Sequence, residues 1–531
     1  MDGSNLGYSY HLPKGGALLK FRNAMSQFSD LFSEFNKYIA PAYHHDRCER
    51  SVQMRLYSMH KREFVMVFLG FFTCFGLGIF IGLAGPPITL TTVYKASQLL
   101  RNQNISSDIA SGPFIMKSPA MSTYNQQLWV IAVVETDNNE DEILDKTFHV
   151  SVALQALTAE HKLVTLLRSD RAHNRTRHLK CERKVCDQVT VVHIGFLDYT
   201  HYILTVRFYD FESFHRRYNM KEVSFYFKSY NPGFTQIEIW FRFIFLLSTF
   251  VITCWFAHTL RKFTIFDWSI EQKWMSVLLP LLLLYNDPIF PMTFLMNSWI
   301  PSMLDALFQA TFLCTLLLFW LCMYHGLRQT ERRLLTFYLP KILIVGPVWI
   351  TSVTMATWQK VNELQDPTYS YKLHTSNFYT FKVFFFIFIG LYLTYLCCLI
   401  LRAYSELRSM PFFDMRLKFL TLLMLIVIAI SVTITVMRFG VGALEDNFVA
   451  ELTTNYNSSA QFMSFYGLLN FYLYTMAYVY APSKRTVFDT SITKDNPAFS
   501  MINDSDEDVI YGSDEESRQP LNRSHNEDDS D

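Results

Sequence analysis

One carboxylate sits where a carboxylate is costly. Asp287 closes an apolar run, in the order Tyr285-Asn286-Asp287-Pro288, after eleven residues from Met275 to Tyr285 relieved only by one serine and one proline. A charge held in hydrocarbon costs about 2.5–3.5 kcal/mol on insertion scales, so one that is kept usually faces a bundle interior or a wet cavity. Pro280 and Pro288 flank this half of the run and free backbone carbonyls for other partners. Two readings stand: Asn286, Asp287 and Asp305 line a cavity open at that end, or they form a polar cap that anchors a helix terminus. Catalysis finds no foothold. There is no H-E-x-x-H, no G-x-S-x-G and no pair of aspartates on neighbouring apolar runs, and the nine cysteines show neither zinc spacing nor a redox C-x-x-C. The chain reads as non-enzymatic, with no metal and no cofactor.

Smaller motifs carry other chemistry. Cys181 and Cys186 share a polar, strand-rich region and could close a short disulfide loop in an oxidising lumen. Asn104-Ile105-Ser106 and Asn174-Arg175-Thr176 are glycosylation sequons in the same region, while Asn457-Ser458-Ser459 falls too close to a membrane for efficient use. Asn496-Pro497-Ala498-Phe499 has the form of a sorting signal, and Tyr404-Ser405-Glu406-Leu407 fits a tyrosine-based one. Ser505 and Ser513 precede acidic residues, a setting that suits phosphorylation. Against each short motif stands the plainer reading of a solvated tail or loop.

These residues must be held by apolar spans. Half of the 531 residues are hydrophobic, 48 of them Phe, more than one soluble core requires. Lys plus Arg equals Asp plus Glu at 47 each, so bulk charge points to no nucleic acid. A first span is expected at 64–84, and about twenty apolar residues suffice to cross the hydrocarbon core. Seven more are expected at 237–260, 274–292, 303–324, 337–358, 380–401, 419–437 and 461–481. The first apolar run starts at Phe64, too late for a cleavable signal peptide. Basic residues concentrate in alternate loops, at Arg261, Lys262 and Lys273, at Arg328, Arg332 and Arg333, and at Arg402, Arg408, Arg416 and Lys418, with few on the other side. That asymmetry predicts cytosolic N- and C-termini. Asn470, mid-span, reads as an interhelical hydrogen bond.

Between the first span and the rest, residues 88–235 alternate with period two. Phe148, Val150, Val152 and Leu154 do so, as do Tyr202, Leu204, Val206 and Phe208, and then Val223, Phe225 and Phe227. Several such runs joined by turns predict an all-β sandwich, luminal or extracellular. Residues 1–60 carry Leu18, Phe21, Met25, Phe28, Phe32, Phe35 and Ile39 at helical spacing, a cytosolic amphipathic helix that packs on its own protein or lies on a membrane. Residues 483–531 lack periodicity and turn acidic, a composition that does not fold alone. The expected architecture is an α-helical multi-pass membrane protein of 1 + 7 spans with an all-β luminal domain. A rhodopsin-type receptor is unsupported, because the third span of the block lacks Asp/Glu-Arg-Tyr and the last carries Asn470-Phe471-Tyr472-Leu473-Tyr474 instead of Asn-Pro-x-x-Tyr.

The order of one span, a β domain and seven spans, with the stretches 122–129, 238–243, 271–288, 462–474 and 495–511, resembles the GOLD-domain seven-helix family to which Wntless belongs. The resemblance spans most of residues 54–512. It implies a luminal GOLD-like sandwich on a receptor-like bundle with a lipid-accessible cavity. It also implies a trafficking or cargo receptor of the secretory pathway, cycling among Golgi, endosome and plasma membrane. The implied partners are membrane lipids, luminal protein cargo that includes lipid-modified cargo, and cytosolic sorting adaptors. One branch of the family is linked with susceptibility to bacterial cytolethal distending toxin. The alternative is a receptor-like seven-helix protein that binds a luminal or extracellular ligand, that toxin included.

Overall fold

The computed structural model describes residues 52–103, 109–137, 144–158, 160–167, 175–181, 184–326, 333–369, 375–407, 411–439 and 458–483. Alternating apolar residues build the first unit. Strands β1 (Thr89–Lys95), β9 (Met220–Tyr230), β3 (Leu128–Thr136) and β7 (Val189–Ile194) form one sheet in the spatial order β1-β9-β3-β7. The other sheet runs β2 (Phe114–Lys117), β8 (His201–Tyr209), β4 (Leu144–Leu157) and β5 (Leu163–Leu167), and β6 (Arg175–Cys181) also pairs with β4. All pairings are antiparallel. In the β4–β8 ladder Val150 faces Phe208, Val152 faces Val206 and Leu154 faces Leu204, so both alternating sets point inward. These side chains and Phe225 and Phe227 of the opposing sheet are all buried, which makes a two-sheet sandwich with one core.

Among the described residues, eight long helices build the second unit, most of them apolar on nearly every face. They are α1 (Lys61–Leu83), α2 (Pro232–Leu260), α3 (Ile270–Tyr285), α4 (Ile300–Gly326), α5 (Leu339–Gln365), α6 (Thr375–Leu407), α7 (Pro411–Phe439) and α8 (Ser459–Tyr480). Among the described residues, the first seven, α3 and α5 with their adjoining short helical turns, are long and apolar enough to cross a membrane. α8 is long enough, but its five tyrosines, with Asn470, Gln461 and serines, place it below that hydropathy. Its place in the bundle explains the composition. It packs against α1, α2, α3 and α7, so most of its surface meets protein instead of lipid. Asn470 exchanges hydrogen bonds with Asn286 (3.0 and 3.1 Å) and donates to the Tyr466 carbonyl (2.9 Å).

α3 stops sooner than the span expected at 274–292. Ser269 caps its start by accepting from the Gln272 amide, and Asn286 and Asp287 end it, with Asp287 in the left-handed region at φ 50°. A short 3₁₀ turn, Phe290–Phe294, carries the chain on. α1, separate from the others in sequence, lies along α8. Gly82 meets the Ala460 backbone so closely that a Cβ there would stand 2.5 Å from the Ala460 Cα. At the far end from the sandwich, residues 52–55 pair with the end of α8. Met54 and Pro482 form an isolated bridge, Arg55 N–H donates to the Ala481 carbonyl, and Ser483 N–H donates to the Gln53 carbonyl.

Candidate functional site

The sandwich meets the bundle over a charged cluster. Glu238 and Arg242 lie one turn apart on the same face of α2, the i,i+4 spacing at which opposite charges pair. Arg242 donates to Glu238 Oε1 from Nε (3.2 Å) and Nη2 (3.1 Å). Its Nη1 lies 3.5 Å from Asp305 Oδ1 on α4 and 3.7 Å from Asp287 Oδ2 after α3. The guanidinium is nearly fully buried, over the Phe290 ring at 4.2 Å. One cation thus holds three carboxyl groups, from α2, α4 and the turn after α3. The sandwich reaches into the same cluster: Gln126 donates from Nε2 to Glu238 Oε2 (3.2 Å) and to Thr235 Oγ1 (3.0 Å), and the Thr235 hydroxyl donates to the Tyr124 carbonyl (2.8 Å). Gln126 adopts φ 55°, so the turn that carries it is conformationally committed.

Above the cluster lies a cavity of about 130 Å³. Thr123, Gln126, Gln127, Gly195 and Phe196 wall it from the sandwich, and Glu238, Phe294, Ser302, Asp305, Gln359 and Lys360 wall it from the bundle. Beside it, between α2 and the end of α3, a second cleft of about 340 Å³ has Trp240, Phe243, Pro288 and Pro291 at its rim and Asn286, Asp287 and Arg242 at its floor. The three polar residues expected at one cavity therefore part company. Asp305 faces the junction cavity, while Asn286 and Asp287 face the cleft. The Asn286 amide is engaged by Asn470 and by Thr249 Oγ1 (2.8 Å), which leaves it a tie between helices. Arg242 escaped the sequence reading. Its signal was there, as an acid and a base at helical spacing inside one apolar run.

A second contact joins the sandwich to the end of α5. His193 of β7 stacks on Trp129 of β3 at 5.1 Å with planes 7° apart, and its Nε2 hydrogen-bonds Gln127 Oε1 at 3.0 Å. Its backbone N–H donates to the Pro367 carbonyl (2.7 Å), and its Nδ1 lies 3.7 Å from Glu363 Oε1. Lys360 and Gln359 also hold Glu363, at 3.3 and 2.7 Å. From β6, Arg175 pairs with Asp366, and Arg177 donates from Nη2 to the Thr368 carbonyl. Burial pushes the Asp366 carboxyl up, but hydrogen bonds from Thr368 and the Arg175 guanidinium outweigh it and hold it below its ordinary value. Burial and the neighbouring Arg175 pull Arg177 down to about 10.

Burial also lowers the His193 imidazole, against Glu363 and with Lys360. A base whose value is depressed when docked stabilises docking above its free value, near 6.5, and that stability is lost as pH falls below it. Hydrogen exchange across Val189–Ile194 and 363–369, corrected for intrinsic rates, is therefore expected to rise between pH 7.5 and 5.5. His193→Gln is expected to flatten that change. An equal rise in the variant would assign it to other groups.

Other expected residues fall as follows. Cys181 and Cys186 are disulfide-bonded. Tyr404 sits half-buried in the last turn of α6, which Leu407 closes, so this motif is helical and not extended. The amphipathic pattern in residues 1–51, Asn104, Asn174, Asn496, Pro497, Phe499, Ser505 and Ser513 lie outside the described residues. Among the described residues, no group of three or more His, Cys, Asp or Glu could hold a metal.

Two family profiles divide the chain where the structure does. Residues 112–230 match "TMEM181, GOLD domain", and residues 231–484 match "Wntless-like, transmembrane domain". Human transmembrane protein 181 is 52% identical over 464 residues, covering 87% of this chain and 94% of the human protein.

Proposed function

Because the chain belongs to the transmembrane protein 181 family, a GOLD domain joined to a Wntless-like transmembrane domain, we propose that it is a non-enzymatic receptor that escorts protein cargo through the secretory pathway. The sandwich is then luminal, both termini are cytosolic, and the acidic tail meets sorting adaptors. One observation supports this reading above the others. The junction cavity takes its walls from both domains, so whatever fills it reports on the sandwich and the bundle together. Sites at domain interfaces, apolar with a few convergent polar groups, are where ligands are usually bound. Here Phe196, Phe294 and Phe462 supply the apolar surface, and Gln126, Gln127, Asp305 and Gln359 supply the polar groups. With only about 130 Å³ the cavity admits a side chain or a chain end, which suits recognition of one anchor on a larger cargo.

The reading is tested by filling the space. Ser302 lies half-buried on α4 at the cavity wall. With a peroxidase fused to the sandwich, Ser302→Trp is expected to lose a discrete set of labelled luminal neighbours that wild type and Ser302→Ala retain. An unchanged neighbour set in a Ser302→Trp protein that still leaves the endoplasmic reticulum would remove the cavity from the mechanism.

A further inference from the structure

The cleft between α2 and the end of α3 has a floor that its own protein leaves incomplete. Asp287 is 4% exposed. Its Oδ1 accepts from the Ile289 N–H at 3.1 Å, but its buried Oδ2 accepts no hydrogen bond. The nearest cation, Arg242 Nη1, stands 3.7 Å away, beyond hydrogen-bond reach, and is shared with Glu238 and Asp305, whose carboxylate also crowds Asp287. Three carboxyl groups thus share one guanidinium, and it reaches Asp287 only at ion-pair distance. A buried acceptor without a donor is costly, and a charged donor satisfies it best. We propose that this cleft binds a single-chain membrane amphiphile with a protonated amine head, the amine on Asp287 Oδ2 and the chain along the apolar wall.

The walls suit that occupant. Ile239, Trp240, Phe243, Leu246, Phe290 and Pro291 present hydrocarbon, and about 340 Å³ is within the range of small-molecule sites. Trp240 is 65% exposed and Phe243 52%, on a helix apolar enough to span a membrane, so the rim opens sideways to lipid. Trp240 lies eight residues into α2, about 12 Å along it at 1.5 Å per residue. With α2 longer than the roughly 30 Å hydrocarbon core, that places the rim near the boundary between headgroups and hydrocarbon, where a single-chain amphiphile sits. Anionic heads are refused by the same three carboxylates, and a neutral hydroxyl leaves the charge uncorrected. The site is separate from the junction cavity, with only Arg242 and Phe290 facing both, so it stands or falls independently of the cargo reading.

The test uses the full chain in nanodiscs and three photoreactive C18 probes of one chain design: a sphingoid base, the matching alcohol and the matching fatty acid. The amine is expected to label peptides of α2 and the 286–291 segment about tenfold more than the acid or alcohol, the gain of one charge-assisted hydrogen bond. Asp287→Asn is expected to bring the amine-to-alcohol ratio near one, and Trp240→Ala to lower labelling by all three. Equal amine and alcohol labelling of the wild-type chain overturns the proposal, as Asp287 then carries its own proton. Amine labelling that survives Asp287→Asn, or that maps elsewhere, also overturns it. Should Asp287→Asn fail to fold, competition on the wild-type chain decides: excess unlabelled amine must displace the probe where alcohol does not.

Discussion

Arg242→Gln is expected to yield little folded protein. The substitution removes the one cation among Glu238, Asp287 and Asp305 and leaves three acids facing one another in a nearly dry space. Breaking a buried ion pair from one side costs about 3–5 kcal/mol, since the abandoned charge stays buried, and here one guanidinium serves three acids. The loss reaches beyond one contact. Arg242 ties α2 to α4 and to the end of α3, and Glu238 passes the connection to Gln126 of the sandwich. A size-exclusion profile in detergent and the thermal midpoint of any folded fraction check the expectation. Adding Glu238→Gln and Asp287→Asn to Arg242→Gln is expected to recover part of the yield, as the charges then leave together. A single Arg242→Gln variant with wild-type midpoint would mean that the acids are neutral in the folded protein and that the guanidinium is dispensable.

Gly82→Leu is expected to separate α1 from the bundle. A Cβ at this position would lie 2.5 Å from the Ala460 Cα, 3.0 Å from its nitrogen and 3.1 Å from the Ser459 carbonyl oxygen, all backbone atoms that no rotamer change can move. Overpacking costs about 1–3 kcal/mol where side chains can yield, and more is expected where only whole helices can. The Ser459 hydroxyl bond to the Pro86 carbonyl lies in the same seam and opens with it. Gly76→Ala is the matched control, because nothing lies within 4 Å of its Cβ and alanine favours the helix over glycine. Thermal midpoints should fall for Gly82→Leu, fall less for Gly82→Ala and hold for Gly76→Ala. Equal midpoints across the series would show that α1 is a loosely held anchor.

How much of this was legible in the residues depends on how local each feature is. The inward faces of β4, β8 and β9 could be read because alternation is a property of neighbours in the chain. β6 could not: in Arg-Thr-Arg-His-Leu-Lys-Cys only Leu179 and Cys181 alternate. The inward place before them is taken by Arg177, which is satisfied by the Thr190 carbonyl of β7 and the Thr368 carbonyl after α5. The apolar runs predicted spans, but periodicity does not tell lipid from protein, so nothing in the pattern of α8 shows that its tyrosines and Asn470 serve the bundle interior. Asp287 stands out in the sequence as a costly charge, and nearness in the chain groups Asn286 and Asp305 with it. The structure divides them between two spaces because α3 ends at Tyr285 and the chain turns there. His193 gave no signal at all. A histidine in a strand becomes notable only beside Glu363 and Lys360, which lie far along the chain.

The seam between α1 and α8 also orders events in time. The ribosome makes α1 first and α8 last of the eight long helices, and at about 5–20 residues per second the interval is on the order of tens of seconds. Through that interval Gly82 has no Ala460 to rest against, and Arg55 has no Ala481 carbonyl to meet. The first helix therefore lacks its main packing partner while the sandwich and the central helices assemble. Closure of the bundle is thus a signal of completion. A chain cut short just before Ser459 keeps the contacts of α1 to Phe419 and of Val52 to Asp267, and only one that reaches α8 closes the Gly82 seam.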